Sequence, residues 1–311
     1  MDVESKETGG TALPEIRRVA VGVDGSEQAL HAALWAAREA RSRGVPLLVM
    51  HAIDLPMTEV PPIEPADYAE RAQRAGGELV TAAAAEIARA HPDVAVAAET
   101  SLHAPVARLT ELSEGAELIV TGTRGRGAIA GTLLGSVSRA LAAHAPGPLV
   151  VVRGPEPESA DGAVVLGLGA NPCGSAIEYA FDAAHRYGSR LRVVRSWTPP
   201  MPLAGLGLPG ASTIGLGGLG AFTGPQAQDS ESDEAADAER AIGAVRARYQ
   251  DVDTEIVAPV GDAVPVLTEV AAGARLIVVG AHRHRGPFTL GAGYVVDGLL
   301  SHSPVPVAIV R

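Results

Sequence analysis

Residues 104–153 recur without a gap at 262–311: at an offset of 158, 18 of the 50 positions carry the same residue. The match is visible when "PVARLTELSEGAELIVTGT" (105–123) is set beside "AVPVLTEVAAGARLIVVGA" (263–281). The starts of the copies correspond too. "RRVAVGVDGSEQALHAALWAAREARSRGVPLLVMHAID" aligns with "GAVVLGLGANPCGSAIEYAFDAAHRYGSRLRVVRSW", with about one residue of slippage after the first strand. A repeat of this length means one domain present twice. With 311 residues and 47% hydrophobic content, the chain can give each copy its own core. The copies are assigned to 15–154 and 161–311, divided within the polar linker "RGPEPESADG" (153–162).

Within each copy, short β-branched runs alternate with longer Ala-rich segments of helical period. In the first, strands are predicted near 17–23, 46–53, 94–101, 116–121 and 148–152, and helices near 27–43, 66–90, 104–114 and 136–145. This βαβα order predicts an α/β domain, a parallel sheet covered by helices on both faces. The strands "VAVGV", "ELIVT" and "LVVV" are apolar on both sides, as expected when neither face meets water. Aromatics are only 3% of the chain, so the cores must be built from Val, Leu, Ile and Ala. The second copy repeats the order, with one long interruption at 199–233 whose Gly, Pro and Ser content predicts a mobile loop of no assigned role.

Several classes of function are disfavoured. A net charge of −11 argues against general nucleic-acid binding. No apolar run approaches the roughly 20 residues of a membrane span, and the acidic N-terminus does not resemble a secretory signal. Cys173 is the only cysteine, which suits a reducing compartment, so a cytoplasmic location is expected. No Ser-His-Asp order, His-Glu-x-x-His pair or Asp-rich loop is present, so no catalytic residue and no metal ligand is assigned.

The stretch "TGTRGRGAIAGTLLGSVSRAL" (121–141) joins the fourth strand to a helix and reads G-x-x-G from Gly122 to Gly125, nine residues, then Gly135-Ser136. Glycines let the backbone turn and approach a ligand closely. Free N–H groups and a capping hydroxyl at a helix start favour an anion. It is not a Walker loop, which needs Gly-Lys-Ser/Thr, nor a dinucleotide fingerprint, which follows the first strand. On spacing alone, a phosphate cradle and an unliganded turn both stand. Asp24, before Gly-Ser, reads equally as a turn former and helix cap.

"VGVDGS", "GTRGRGAIAGTLLGS" and "APGPLVVVR" together resemble the universal stress protein family, and the resemblance spans both copies. It implies two tandem doubly wound, Rossmann-like domains, each a five-stranded parallel sheet in the order 3-2-1-4-5. That order brings Asp24 and Gly122 together where the winding reverses. It further implies that ATP, with or without Mg²⁺, binds in the first copy. Asp24 would meet the adenosine end, with Gly22, Val23 and Ala52 lining the base pocket. Gly122, Gly125, Gly127, Gly135 and Ser136 would hold ribose and phosphates, helped by the Val137 N–H and the Ser138 hydroxyl. Thr123, Arg124 and Arg126 belong to the same loop, and solvated arginines are as good an account as phosphate neutralisation.

The second copy departs from this pattern. Asp24 aligns with Gly169, Gly125 with Arg283, and Gly135-Ser136 with Gly293-Tyr294. A weak second site around Gly280, Arg283 and Gly293 is the most it retains. His282, Arg283, His284 and Arg285 form either a solvated basic loop or an anion- or pH-sensitive one. The expected function is a nucleotide-responsive stress regulator that hydrolyses ATP slowly at most. An ATP-using hydrolase or nucleotidyl transferase, or a nucleotide-free scaffold, are the alternatives. The terminal strands "PLVVVR" and "PVAIVR" are sheet edges that pair unless covered. The resemblance suggests that the copies pair through them about a pseudo-twofold axis, with a further homodimer compatible.

Overall fold

The structure, a computed structural model, describes residues 17–54, 65–125, 134–154, 162–198, 225–281 and 292–311. The first half runs β1 (Val19–Gly22), α1 (Glu27–Arg43), β2 (Leu47–Ala52), α2 (Pro65–Ala90), β3 (Val96–Ser101), α3 (Pro105–Leu112), β4 (Leu118–Gly122), α4 (Ser136–His144) and β5 (Leu149–Val152). The second runs β6 (Val164–Gly167), α5 (Gly174–Tyr187), β7 (Leu191–Val194), α6 (Pro225–Arg246), β8 (Thr254–Val257), α7 (Ala263–Val270), β9 (Leu276–Gly280), α8 (Tyr294–His302) and β10 (Val307–Val310).

All ten strands form one sheet in the order β3-β2-β1-β4-β5-β10-β9-β6-β7-β8. Each half has the expected 3-2-1-4-5 order and is parallel throughout. The halves meet at β5 and β10, which pair antiparallel with Ala308 opposite Val150. The two edges a parallel domain would leave open therefore satisfy each other.

Local chemistry explains the elements. In α1, Ser26 caps the start by accepting from the Ala29 N–H at 3.2 Å, and Gly44 ends the helix at φ 66°, a left-handed stop that glycine adopts without strain. Ala29, Ala32, Ala33, Ala36, Ala37 and Ala40 form its buried side, and their small size lets the helix lie close on the sheet. Two apolar layers result, one on each face of the sheet, and each continues across the seam between the halves.

A reciprocal pair of arginines reinforces the seam. Arg153, just after β5, donates to the Leu300 and Ser301 carbonyls at the end of α8, at 2.8 and 2.9 Å. Arg311, its repeat partner after β10, donates to the Ala145 carbonyl at 2.6 Å and to that of Ala142 at the end of α4. Each cation thus meets the negative end of the opposite half's helix.

The expected loop at 199–233 is corrected in its last part, because residues 225–233 belong to α6. The Gly-rich composition stops at Pro225, which is compatible with a helix's first turn, and the following Gln, Ala, Asp and Glu run continues as helix. Residues 199–224 lie outside the described residues. Among the described residues, no helix is long and apolar enough to cross a membrane.

Candidate functional site

In the first half, β1 and β4 are neighbours with crossovers leaving in opposite directions, so their C-terminal ends open a crevice at the reversal point. A cavity of about 250 Å³ lies there. Met50 and Leu109 give it an apolar floor, with Gly22, Val23 and Ala52 alongside. Asp24, Arg124, Gly125 and the first turn of α4 give it a polar wall. An apolar slot with a donor-rich end suits a ligand with one flat and one anionic part.

Asp24 uses its two oxygens differently. Oδ1 accepts from the Ser26 N–H at 3.1 Å and the Ser26 hydroxyl at 2.7 Å, fixing the entry to α1 as the turn-former reading requires. Oδ2 lies against Gly125, where any Cβ would collide with it. Asp24 and Gly125 are therefore complementary: the carboxylate occupies the space that a side chain at 125 would need.

Gly122 has a different reason. A Cβ there would come within 2.9 Å of the Gln28 backbone carbonyl, and its repeat partner Gly280 is equally tight, 2.5 Å from the Cys173 Cβ. Neither Gly122 nor Gly125 has a positive φ, so close approach, not turn geometry, selects glycine at both. Gly122 lines the cavity but is also required by α1 packing, which corrects the reading of its purpose as ligand approach alone.

The first turn of α4 needs a second correction. Its N-cap is Gly135, no side chain caps it, and the Gly135 N–H is not free: it donates to the Thr123 carbonyl at 2.7 Å, closing the loop's ends. The donors without intrahelical acceptors are the N–H groups of Ser136, Val137 and Ser138, at the positive end of the helix. The Ser138 hydroxyl donates to the Gly122 carbonyl at 2.7 Å, so its proton is committed to the loop and not to a ligand. Thr123 is buried and does not line the cavity. Arg126 and Gly127 lie outside the described residues.

The apolar lining residues Ala29, Met50, Pro105 and Leu109 were not anticipated, nor were two polar ones, His51 and Thr121. His51 shares its Nδ1 proton with the Val23 carbonyl at 2.7 Å, tying the end of β2 to the end of β1. Thr121 is 4% exposed, lines the cavity, and has a buried hydroxyl without a hydrogen-bond partner among the described residues. The signal for it was present in the repeat, which has Val279 at that position.

Arg124 lines the cavity. Burial first, and then the nearby Arg124 charge, lower Arg153 at the seam from its ordinary value. Among the described residues, no three His, Cys, Asp or Glu side chains converge as a metal-binding group.

The second half is built differently at the same place. The position of His51 is taken by Arg195, which reaches the Gly169 carbonyl at 3.1 Å and is held by Glu234 and, at 3.6 Å, Asp237 of α6. Tyr294 replaces Ser136; it is 69% exposed and donates to Asp262 at 3.2 Å. Gly293 precedes α8 at φ 104°, whereas Gly135 has φ −72°. His282, Arg283, His284 and Arg285 lie outside the described residues.

The profile of the universal stress protein family matches residues 15–153 and again 163–311. A universal stress protein of Mycobacterium tuberculosis (strain ATCC 25618 / H37Rv) is 32% identical over 94% of this chain and 96% of its own. One from Mycolicibacterium smegmatis is 30% identical over 94% and 96%. Among solved structures, a universal stress protein from Archaeoglobus fulgidus DSM 4304 superposes with a TM-score of 0.67 at 17% identity, covering 94% of this chain and 96% of that one, a likeness of fold.

Proposed function

The chain belongs to the universal stress protein family, and from that premise we propose that its first half binds one ATP per chain and that the protein acts as a nucleotide-responsive regulator. The observation carrying this reading is the Asp24–Gly125 pair across the mouth of the cavity, both members of which are replaced in the second half, by Gly169 and Arg283. A feature needed only for folding would be expected in both copies. Gly122 behaves that way; Asp24 and Gly125 do not.

In this reading the base lies over Met50 and Leu109, Asp24 accepts from the sugar hydroxyls, and the phosphates reach the N–H groups opening α4, with Arg124 at the mouth. The lining side chains bind and orient. Among the described lining residues the two groups able to act as a base are engaged elsewhere, Asp24 Oδ1 by Ser26 and His51 Nδ1 by the Val23 carbonyl, so slow hydrolysis at most is expected.

Calorimetry with ATP on the wild type, Asp24→Ala and Gly125→Ala tests the reading. Each substitution should weaken binding at least about tenfold, about 1.4 kcal/mol, with folding intact by circular dichroism. Unchanged affinity in both folded variants would refute the site. Single-turnover assays with ATP separate a binder, which leaves nucleotide intact over minutes, from an ATP-consuming enzyme.

A further inference from the structure

A second cavity, of about 200 Å³, opens at the seam on the α1 and α5 face and shares no lining residue with the site above. Four arginines line it: Arg38 and Arg41 from α1, Arg186 from α5, and Arg275 just before β9. The first two belong to one half of the chain and the last two to the other.

The one carboxylate among the described lining residues already has both oxygens engaged. Glu39 is 2% exposed; its Oε1 accepts from Arg43 Nε and Arg186 Nη1, each at 2.7 Å, and its Oε2 from the Tyr187 hydroxyl at 2.5 Å. Burial alone would raise the Glu39 carboxyl, but Arg43, Arg186 and Tyr187 together hold it below its usual value, so it stays charged. Glu39 therefore orients Arg186 and offsets part of its charge, while it bonds to neither Arg41 nor Arg275. Asp182 holds Arg186 from its other side, through Nε at 2.9 Å.

Donor capacity is left over. Arg186 Nη2 is buried and has no acceptor among the described residues. The Arg275 guanidinium lies over the Tyr187 ring, 4.9 Å from its centre, and among the described residues reaches no carboxylate. Arg41 meets Asp93 only at 3.9 Å, and both are more than half exposed, so that pair is readily exchanged.

A chain of net charge −11 that concentrates guanidinia around one cleft creates there a potential favouring an anion. Planar guanidinium forks match the oxygen pairs of phosphate better than they match a monovalent ion. We propose that the seam cavity is a second anion site, taking a phosphate or diphosphate group as a free ion or as the tail of a nucleotide, and that its occupant ties the two halves together.

The test is calorimetry and thermal melting of the full chain with pyrophosphate, and separately with ATP, on the wild type, Arg275→Ala, Arg41→Ala/Arg275→Ala and Ser136→Glu. The Arg275 side chain makes only its ring contact among the described residues, so its truncation should leave the fold intact, and Arg275→Lys serves as the charge-conserving control. The wild type should bind pyrophosphate and melt higher with it. The double variant should lose at least about tenfold in affinity, about 1.4 kcal/mol, together with the melting shift, and retain its ATP affinity. Ser136→Glu, which puts a negative charge at the start of α4, should do the reverse. A response seen with ATP but not with pyrophosphate, and lost in the arginine variant, identifies the nucleotide tail as the source. No response to either ligand in the wild type would overturn the proposal, as would a response abolished only by Ser136→Glu or one insensitive to every variant.

Discussion

Thr121 shows at the residue scale how a repeat can expose a functional side chain that a motif does not. Its hydroxyl is buried and has no hydrogen-bond partner among the described residues, the residue lines the candidate site, and the second half carries Val279 there. An unsatisfied buried hydroxyl costs the free protein about 1–3 kcal/mol, a cost relieved when a ligand supplies a partner. Thr121→Val should therefore move two measurements in opposite directions. By calorimetry, ATP affinity falls about two- to tenfold, the worth of one net hydrogen bond. By urea unfolding, the stability of the free protein holds or rises. The spacing Gly122-x-x-Gly125 was legible in the sequence, but the division of labour within it was not. Gly122 answers to the Gln28 backbone, Gly125 to the Asp24 carboxylate, and both partners are distant along the chain.

At the scale of elements, α4 links the candidate site to the seam. Its first-turn donors face the cavity, and its last carbonyls are held by Arg311 from the other half. Arg311→Ala should cost about 1.5–3 kcal/mol, as for a hydrogen-bonded charge, and Arg153→Ala a comparable amount by the pseudo-symmetry. Urea midpoints of the two single variants would check both values. Helix and strand positions were largely legible because each has a local cause, such as Ser26 opening α1 and Gly44 closing it. The start of α6 was missed because its first turns, Pro225 followed by Gln, Asp, Ser and Glu, carry no apolar helical period, although the Gly-rich composition stops at Pro225. The true N-cap of α4 escaped as well, since Gly135 caps by backbone alone and no side-chain signal marks it.

At the scale of the molecule, one continuous sheet and two continuous apolar layers make the halves a single unit. The order 3-2-1-4-5 and the pairing of terminal strands followed from the resemblance, and the strand register bears both out. The charge cluster at the seam was not legible, because Glu39 meets Arg186 and Tyr187 only once the halves pair. That cluster predicts an acid sensitivity. The folded-state value of Glu39 is lowered, so its contribution to stability is fully present above the ordinary carboxylate value, about 4.3, and is lost as pH falls through the folded value. Urea midpoints should decline more steeply below about pH 4.3 in the wild type than in Glu39→Gln. Above that range the variant should be the less stable, since Arg43 and Arg186 each lose one carboxylate partner and keep only Glu117 and Asp182 respectively.

The central claim is that one of two similar halves holds nucleotide. Equilibrium dialysis of the full chain against ATP measures this directly, on the wild type and on Asp24→Ala. The account predicts saturation at one high-affinity ATP per chain, abolished by the substitution. Saturation at two of equal affinity, or one that Asp24→Ala leaves in place, would contradict it.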